Sequence, residues 1–145
     1  MGRIMAFDFG TKRTGIAISD ENQAFAFPLC TEPTRNVLNY VEGYIRENEV
    51  SLFVVGEQKR MDNTETHASK HVEQFIRQLN KKFDKIPVEK VDERFTSSLA
   101  MRAMIDSGVK KSQRRNKELL DTTSATIILQ SWIESKESRE RNKGI

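Results

Sequence analysis

Cysteine is almost absent from this 145-residue chain: Cys30 stands alone, so no internal disulfide can form. A chain without disulfides fits a reducing compartment. No apolar stretch approaches the ~18 consecutive residues that a membrane-spanning helix needs, and the N-terminus lacks a signal-peptide pattern. These absences predict a protein that stays in the cytoplasm and does not enter a membrane.

The composition is that of one globular domain on the polar side, with 37% hydrophobic and 31% charged residues. The length predicts a single domain with a core of its own, which we place at residues 1–138. Charges alternate over residues 139–145, which we expect to be a frayed helix end or a disordered tail. The net charge of +3 is too small to identify a nucleic-acid partner, so the distribution of the basic residues matters more.

Three strands are predicted at the start of the chain. Residues 4–9 are almost continuously apolar, which is typical of a strand buried on both faces. Residues 16–19 alternate after a basic loop bounded by Gly10 and Gly15, where glycine supplies backbone conformations that other residues resist. Residues 24–29 are apolar again, and we expect Pro28 to help end this third strand.

Helices and strands alternate after that. Thr34 is placed to cap a helix with apolar residues at helical spacing, and residues 52–56 read as an interior parallel strand. An amphipathic helix over residues 68–83 leads to a strand at about residues 86–91.

Two further helices complete the prediction. Thr96 or Ser97 begins one that Gly108 ends, and the last helix covers about residues 117–134. Three antiparallel strands followed by βα units predict an α/β fold with a mixed sheet and helices on both faces. This is the ribonuclease H-like order of elements.

Three carboxylates occupy positions where chemistry is expected. Asp8 lies near the end of the first apolar run, and Glu93 lies just past the last predicted strand. A helical wheel places Asp121 on the apolar face of the last helix, within about 40° of Ala125 and Trp132. A carboxylate facing the core needs a metal, a basic partner or a helix N-terminus.

Each carboxylate taken alone also has an ordinary structural explanation. Asp8 before Gly10 suits an Asx-type turn. A salt bridge to Arg94 would satisfy Asp121, and aspartate is common in a first helical turn. Trp132 is interpreted as a core residue and not as a platform on which bases stack.

Taken together, Asp8, Glu93 and Asp121 predict a metal site, because open α/β sheets place their sites at strand ends. Oxygen ligands without a histidine or cysteine cluster suit Mg²⁺ or Mn²⁺ and not zinc. Such ions activate water and stabilise the leaving oxygen of a phosphodiester. Basic residues in three loops and beside Glu93 are expected to bind the flanking phosphates: Lys12, Arg13, Lys59, Arg60, Arg94, Lys110, Lys111, Arg114 and Arg115.

Four stretches resemble the motifs of the YqgF/RuvX family, in the same order: FDFGTKRTGIAISD, VVGEQKRMDN, VDERFTS and KELLDTTSATIILQSWI. The resemblance extends to about Ile133, with one departure at Glu57-Gln58, where the family usually has an apolar residue and proline. It implies a ribonuclease H-like fold and a divalent-metal nuclease with Asp8, Glu93 and Asp121 as its acidic site. The implied substrate is the 5′ end of pre-16S rRNA in ribosomal precursor particles. Because the family is also described as Holliday junction resolvase-like, branched DNA is the alternative substrate.

Two other classes of function are open to this sequence. The Asp-x-Gly-Thr stretch from Asp8 also resembles the phosphate loop of actin-like ATPases and sugar kinases. Those proteins need a second glycine-bearing phosphate loop, whereas after Gly56 this chain has only Gly108 and Gly144. A nucleic-acid-binding factor that does not cleave would use the same basic loops as a nuclease.

Overall fold

The computed structural model describes residues 2–57, 68–91 and 117–143. Five strands in these residues form one sheet: β1 (Arg3–Phe9), β2 (Arg13–Ser19), β3 (Ala26–Pro33), β4 (Val50–Glu57) and β5 (Val88–Val91). Their spatial order is β3-β2-β1-β4-β5. Strand β2 is antiparallel to β1 and β3, whereas β1 and β5 are both parallel to β4. The sheet is therefore mixed, as predicted for a ribonuclease H-like α/β fold.

Helices cover both faces of this sheet. α1 (Val37–Glu47) and α2 (Ala68–Lys82) pack on one face, and α3 (Lys117–Lys143) packs on the other. α3 continues nine residues past the predicted end at Glu134, because the charged stretch that follows is rich in good helix formers. The helix predicted to start at Thr96 or Ser97 lies outside the described residues.

Alternation along β1 divides the core into two clusters. Met5, Phe7 and Phe9 face α1 and α2. Ile4 and Ala6 face α3. Successive side chains of a strand point to opposite faces, so Asp8 continues the α3 side of the sheet.

The face under α1 and α2 is aromatic and tightly packed. The Phe7 ring lies 5.7 Å from Phe53 and 5.4 Å from Phe75, centroid to centroid. Phe75 also lies 5.0 Å from Phe9. Such pairs contribute about 0.5–1.5 kcal/mol each beyond the burial of their area.

Two details of the predicted elements are wrong. Strand β3 does not end near Pro28 but continues to Pro33, since an edge strand tolerates a residue without an N–H. The pairing shifts register beside Pro28, between Ile16 and Ala17. Thr34 does not cap α1; it begins a short 3₁₀ turn, and its hydroxyl bonds elsewhere.

None of the helices in the described part of the chain combines the length and the apolar character needed to cross a membrane.

Candidate active site

Asp8 lies on the α3 face at the carboxyl ends of the parallel strands. Asp8 is only 2% exposed, and its Oδ1 atom is buried. Asp8 pairs with Gly15 on β2 and with Gly56 on β4. Directly paired residues point to the same face of a sheet, so the carboxylate stands between two positions that carry no side chain. Neither neighbouring strand therefore places a side chain directly beside this carboxylate.

The backbone of α3 comes very close to the sheet at Gly15. A Cβ atom built on Gly15 would lie 2.0 Å from the backbone oxygen of Asp121 and 2.3 Å from its carbonyl carbon. The glycine is thus required for space, because a side chain would overlap the second turn of α3. Backbone freedom in a loop is not its role, because Gly15 lies inside β2 and pairs regularly with Asp8.

The same glycine brings Asp8 and Asp121 together. Gly15 is the cross-strand neighbour of Asp8, and its α3 side touches the backbone of Asp121. Directly paired Cα atoms in an antiparallel sheet are about 4.5–5.5 Å apart. Two of the three predicted carboxylates therefore lie next to one residue, on one face of the sheet.

Asp121 is buried, as the helical wheel predicted, and it has a basic partner. Its side chain is 12% exposed, and its Oδ2 atom lies 3.4 Å from Nε of Arg13, which is itself 26% exposed. A salt bridge from Asp121 to Arg94 was one of the alternatives that the sequence left open, and Arg94 lies outside the described residues. The ion pair balances the charge of Asp121 with a cation that comes from the basic loop itself.

Two hydrogen-bonded threonine pairs fix the parts of the site. The hydroxyls of Thr31 and Thr122 lie 2.5 Å apart, which ties β3 to the second turn of α3. Thr34 donates its hydroxyl proton to the carbonyl oxygen of Gly10 at 2.5 Å and lies 2.9 Å from the hydroxyl of Thr14. The loop between β1 and β2 is therefore anchored at both ends.

This anchored loop carries Lys12, and Arg13 follows it as the first residue of β2. The Lys12 side chain is exposed, and its carbonyl accepts a hydrogen bond from the N–H of Thr34 at 3.1 Å. Arg13 uses Nε to contact Asp121, and the Nη atoms of a guanidinium can still donate to a phosphate. The end of the loop and the start of β2 thus present two cations beside the acidic site. The other predicted phosphate ligands lie outside the described residues: Lys59, Arg60, Arg94, Lys110, Lys111, Arg114 and Arg115.

The donor set fits a hard divalent cation. Asp8 and Asp121 offer only oxygen ligands, the type that Mg²⁺ and Mn²⁺ prefer. Within residues 2–57, 68–91 and 117–143, no three acidic, histidine or cysteine side chains cluster as a complete metal site. The third predicted ligand, Glu93, lies outside those ranges. β5 ends at Val91, which pairs with Gly56 beside Asp8.

The sequence did not predict the hydrogen bonds of Thr34 to Gly10 and Thr14, nor the close approach of α3 to Gly15. Thr34 was visible only as a helix-capping residue, because its bonds to Gly10 and Thr14 span 24 and 20 positions. The one available signal for Gly15 was its place at the head of a strand, where glycine is unfavourable unless another part of the chain approaches closely.

Known proteins resemble this chain over nearly its whole length. A family model described as Holliday junction resolvase, RuvX, matches residues 2–135. A protein of Bacteroides thetaiotaomicron named "Putative pre-16S rRNA nuclease" is 50% identical over 136 residues, which are 94% of this chain and 99% of that protein. A protein of the same name from Christiangramia forsetii is 47% identical over 133 residues, 92% of this chain and 98% of that one. A third, from Flavobacterium psychrophilum, is 42% identical over 136 residues, covering 94% and 99%.

Proposed function

This chain belongs to the RuvX family, described as Holliday junction resolvases, and from that premise we propose that it is a divalent-metal-dependent endonuclease that processes the 5′ end of pre-16S rRNA. The observation that carries the proposal is that two buried acidic residues, Asp8 and Asp121, both adjoin Gly15, Asp8 as its cross-strand partner and Asp121 through its backbone. Two relatives that are 47% and 50% identical to this chain are named "Putative pre-16S rRNA nuclease", which supports pre-16S rRNA as the substrate. We place the reaction in the cytoplasm, on ribosomal precursor particles.

The proposal assigns metal binding to the acidic residues and phosphate binding to the basic residues. Asp8 and Asp121, with Glu93 as the third acid, would hold Mg²⁺ or Mn²⁺. When bound, the ion supplies an activated water and stabilises the leaving oxygen of the phosphodiester. Lys12 and Arg13 bind phosphates on either side of the cleaved bond, because charge-assisted hydrogen bonds to phosphate are strong and directional.

Arg13 has a further task that follows from its ion pair. Its guanidinium contacts Asp121 through Nε, so it orients the carboxylate while presenting its terminal nitrogens to the substrate. Burial of Asp121 without this cation would cost several kcal/mol on the scale of unpaired buried charges. Arg13 therefore couples substrate binding to the position of a metal ligand.

A side-by-side cleavage assay tests the proposal. Precursor 16S rRNA and four-way DNA junctions are incubated with the protein in Mg²⁺, Mn²⁺ or EDTA. We expect metal-dependent cleavage of the rRNA, abolished by Asp8→Asn and unaffected by Asp84→Asn, a matched change at an exposed loop position. Cleavage of junctions alone would support the activity in the family description. Wild-type cleavage by the Asp8→Asn variant would overturn the proposed site.

The Arg13–Asp121 ion pair supports a second candidate, a nucleic-acid-binding factor that does not cleave. Arg13 already balances the charge of Asp121 without any metal ion. Such a factor would bind the same RNA equally well in EDTA and in Mg²⁺ and would leave it intact. The two metal arms of the cleavage assay, read together with a binding titration, separate the two functions.

A further inference from the structure

A cavity of about 480 Å³ lies between β5 and α3, apart from the two carboxylates. It is lined by Glu89, Lys90, Val91, Ser131, Trp132 and Ser135. Its volume falls within the range of small-molecule sites, about 300–1,000 Å³. Its walls combine the Trp132 ring with the Glu89 carboxylate and two serine hydroxyls, a mixture suited to a flat polar heterocycle. The ammonium of Lys90 is not part of this wall, because it lies 3.3 Å from Glu73 of α2 on the opposite face of the sheet.

Trp132 packs against the core, as the sequence predicted, and it also lines the cavity. Its Nε1–H donates to Oε2 of Glu89 at 2.6 Å, and Nζ of Lys136 lies 5.5 Å from the ring centroid. Lys136 is itself held by Oε1 of Gln23 at 3.0 Å. The indole is thus fixed at its edge by Glu89, and a base that stacks on its ring must displace the Lys136 ammonium from over the ring.

The cavity and the acidic site share one face of the sheet. Val91 pairs with Gly56, and Gly56 pairs with Asp8. Two strand spacings separate Val91 from Asp8, about 10 Å in all. At a rise of about 3.4 Å for each stacked nucleotide, this distance corresponds to about three nucleotides. One nucleic-acid strand can therefore reach both places.

We propose that this cavity binds an unpaired nucleobase of the substrate strand, stacked on Trp132, with guanine preferred over uracil. Single-stranded bases are recognised by stacking on aromatic rings and by hydrogen bonds to their Watson–Crick edges. A carboxylate accepts hydrogen bonds at about four positions and donates none. The carboxylate of Glu89 accepts one hydrogen bond from the indole N–H and can accept others. Guanine can donate two to it, from its adjacent N1–H and N2–H groups, whereas uracil has one donor on its Watson–Crick edge. The inference rests on the proposed function only in taking its ligand from the substrate.

Trp132 is the chain's single tryptophan, so its fluorescence reports on this cavity. The full chain is titrated in EDTA with GMP, with UMP, and with short oligouridylates that contain or lack one guanosine. We expect quenching by all four, with at least about fivefold tighter binding of the guanosine-containing oligonucleotide. EDTA keeps the measurement independent of cleavage.

Variants separate stacking from base selection. Glu89→Gln keeps the quenching but loses most of the guanosine preference, whereas Glu47→Gln, the same change at an exposed position on α1, retains both. Trp132→Phe keeps a ring for the core and weakens binding of a labelled oligonucleotide severalfold, measured by anisotropy.

The possible results distinguish this inference from the proposed function. Binding by anisotropy without any tryptophan response overturns the cavity assignment and leaves the nuclease proposal standing. Equal guanosine preference in Glu89→Gln and wild type overturns the role of Glu89. Base-selective quenching in a protein that cleaves nothing in Mg²⁺ or Mn²⁺ supports the cavity and counts against the nuclease.

Discussion

Gly15→Ala tests the contact that brings the two carboxylates together. The new Cβ would lie 2.0 Å from the backbone oxygen of Asp121, whereas ordinary contact begins near 3.4 Å. The second turn of α3 must therefore retreat by about 1.4 Å, the difference between these distances. The opposing atoms belong to the backbone, so no rotamer change can relieve the clash.

The displacement predicts two measurable losses. Overpacking of this kind costs about 1–3 kcal/mol of folding free energy. At about 2–4 °C for each kcal/mol in a chain of this size, the melting temperature falls by about 2–12 °C. A shift of 1 Å in a catalytic group can reduce activity about 100-fold, so metal-dependent cleavage should fall by about that factor while the protein remains folded.

Gly43→Ala is the matched control. Gly43 lies inside α1, and a Cβ there would meet nothing within 4 Å. Alanine is favoured over glycine in a helix interior by about 0.5–1 kcal/mol, so this variant should be more stable than wild type. Thermal unfolding followed by circular dichroism measures both variants. A Gly15→Ala protein as stable and as active as wild type would refute the close approach of α3 to β2.

Three further predictions concern metal, phosphate and pH. Mn²⁺ at 100 times its Kd should stabilise wild type by about 2.7 kcal/mol, and Asp8→Asn should lose this increment in thermal unfolding; an unchanged increment would exclude Asp8 as a ligand. Lys12→Gln should weaken RNA binding and reduce the slope of log K against log salt by about 1, with Lys85→Gln as an exposed control, and equal slopes would contradict a phosphate contact. The N–H groups of Phe25 and Ala24 donate to Asp20 and lower its pKa, which partial burial only partly opposes. The ionised carboxylate of Asp20 therefore stabilises the fold at a pH above its unfolded-state pKa. The difference in unfolding free energy between wild type and Asp20→Ala should vanish as the pH falls through the lowered pKa of the folded state. A difference that persists in acid would refute this linkage between protonation and folding.

The parts of this fold that follow from local sequence were predictable. The apolar run at residues 4–9 and the helical stripe around Asp121 each encode burial directly, so Asp8 and Asp121 were identified as carboxylates in unusual surroundings. The contacts between segments that lie far apart in the chain were not predictable from the sequence. Gly15 and Thr34 have ordinary local explanations, as a turn residue and a capping residue. Their actual contacts join segments far apart in the chain.

The two faces of the sheet differ in a way that explains where the site lies. One face is filled by phenylalanines, whereas small residues, Ala6, Gly15 and Ala17 among them, lie under α3. Small residues let a helix backbone approach a sheet closely, so the second turn of α3 contacts Gly15, the strand neighbour of Asp8. A larger side chain at Gly15 would raise that turn and move Asp121 away from Asp8 even if the total buried apolar area increased. Both faces contribute a core cluster, but only the α3 face holds the acidic residues, so the site should tolerate a substitution under α1 or α2 more readily than one under α3.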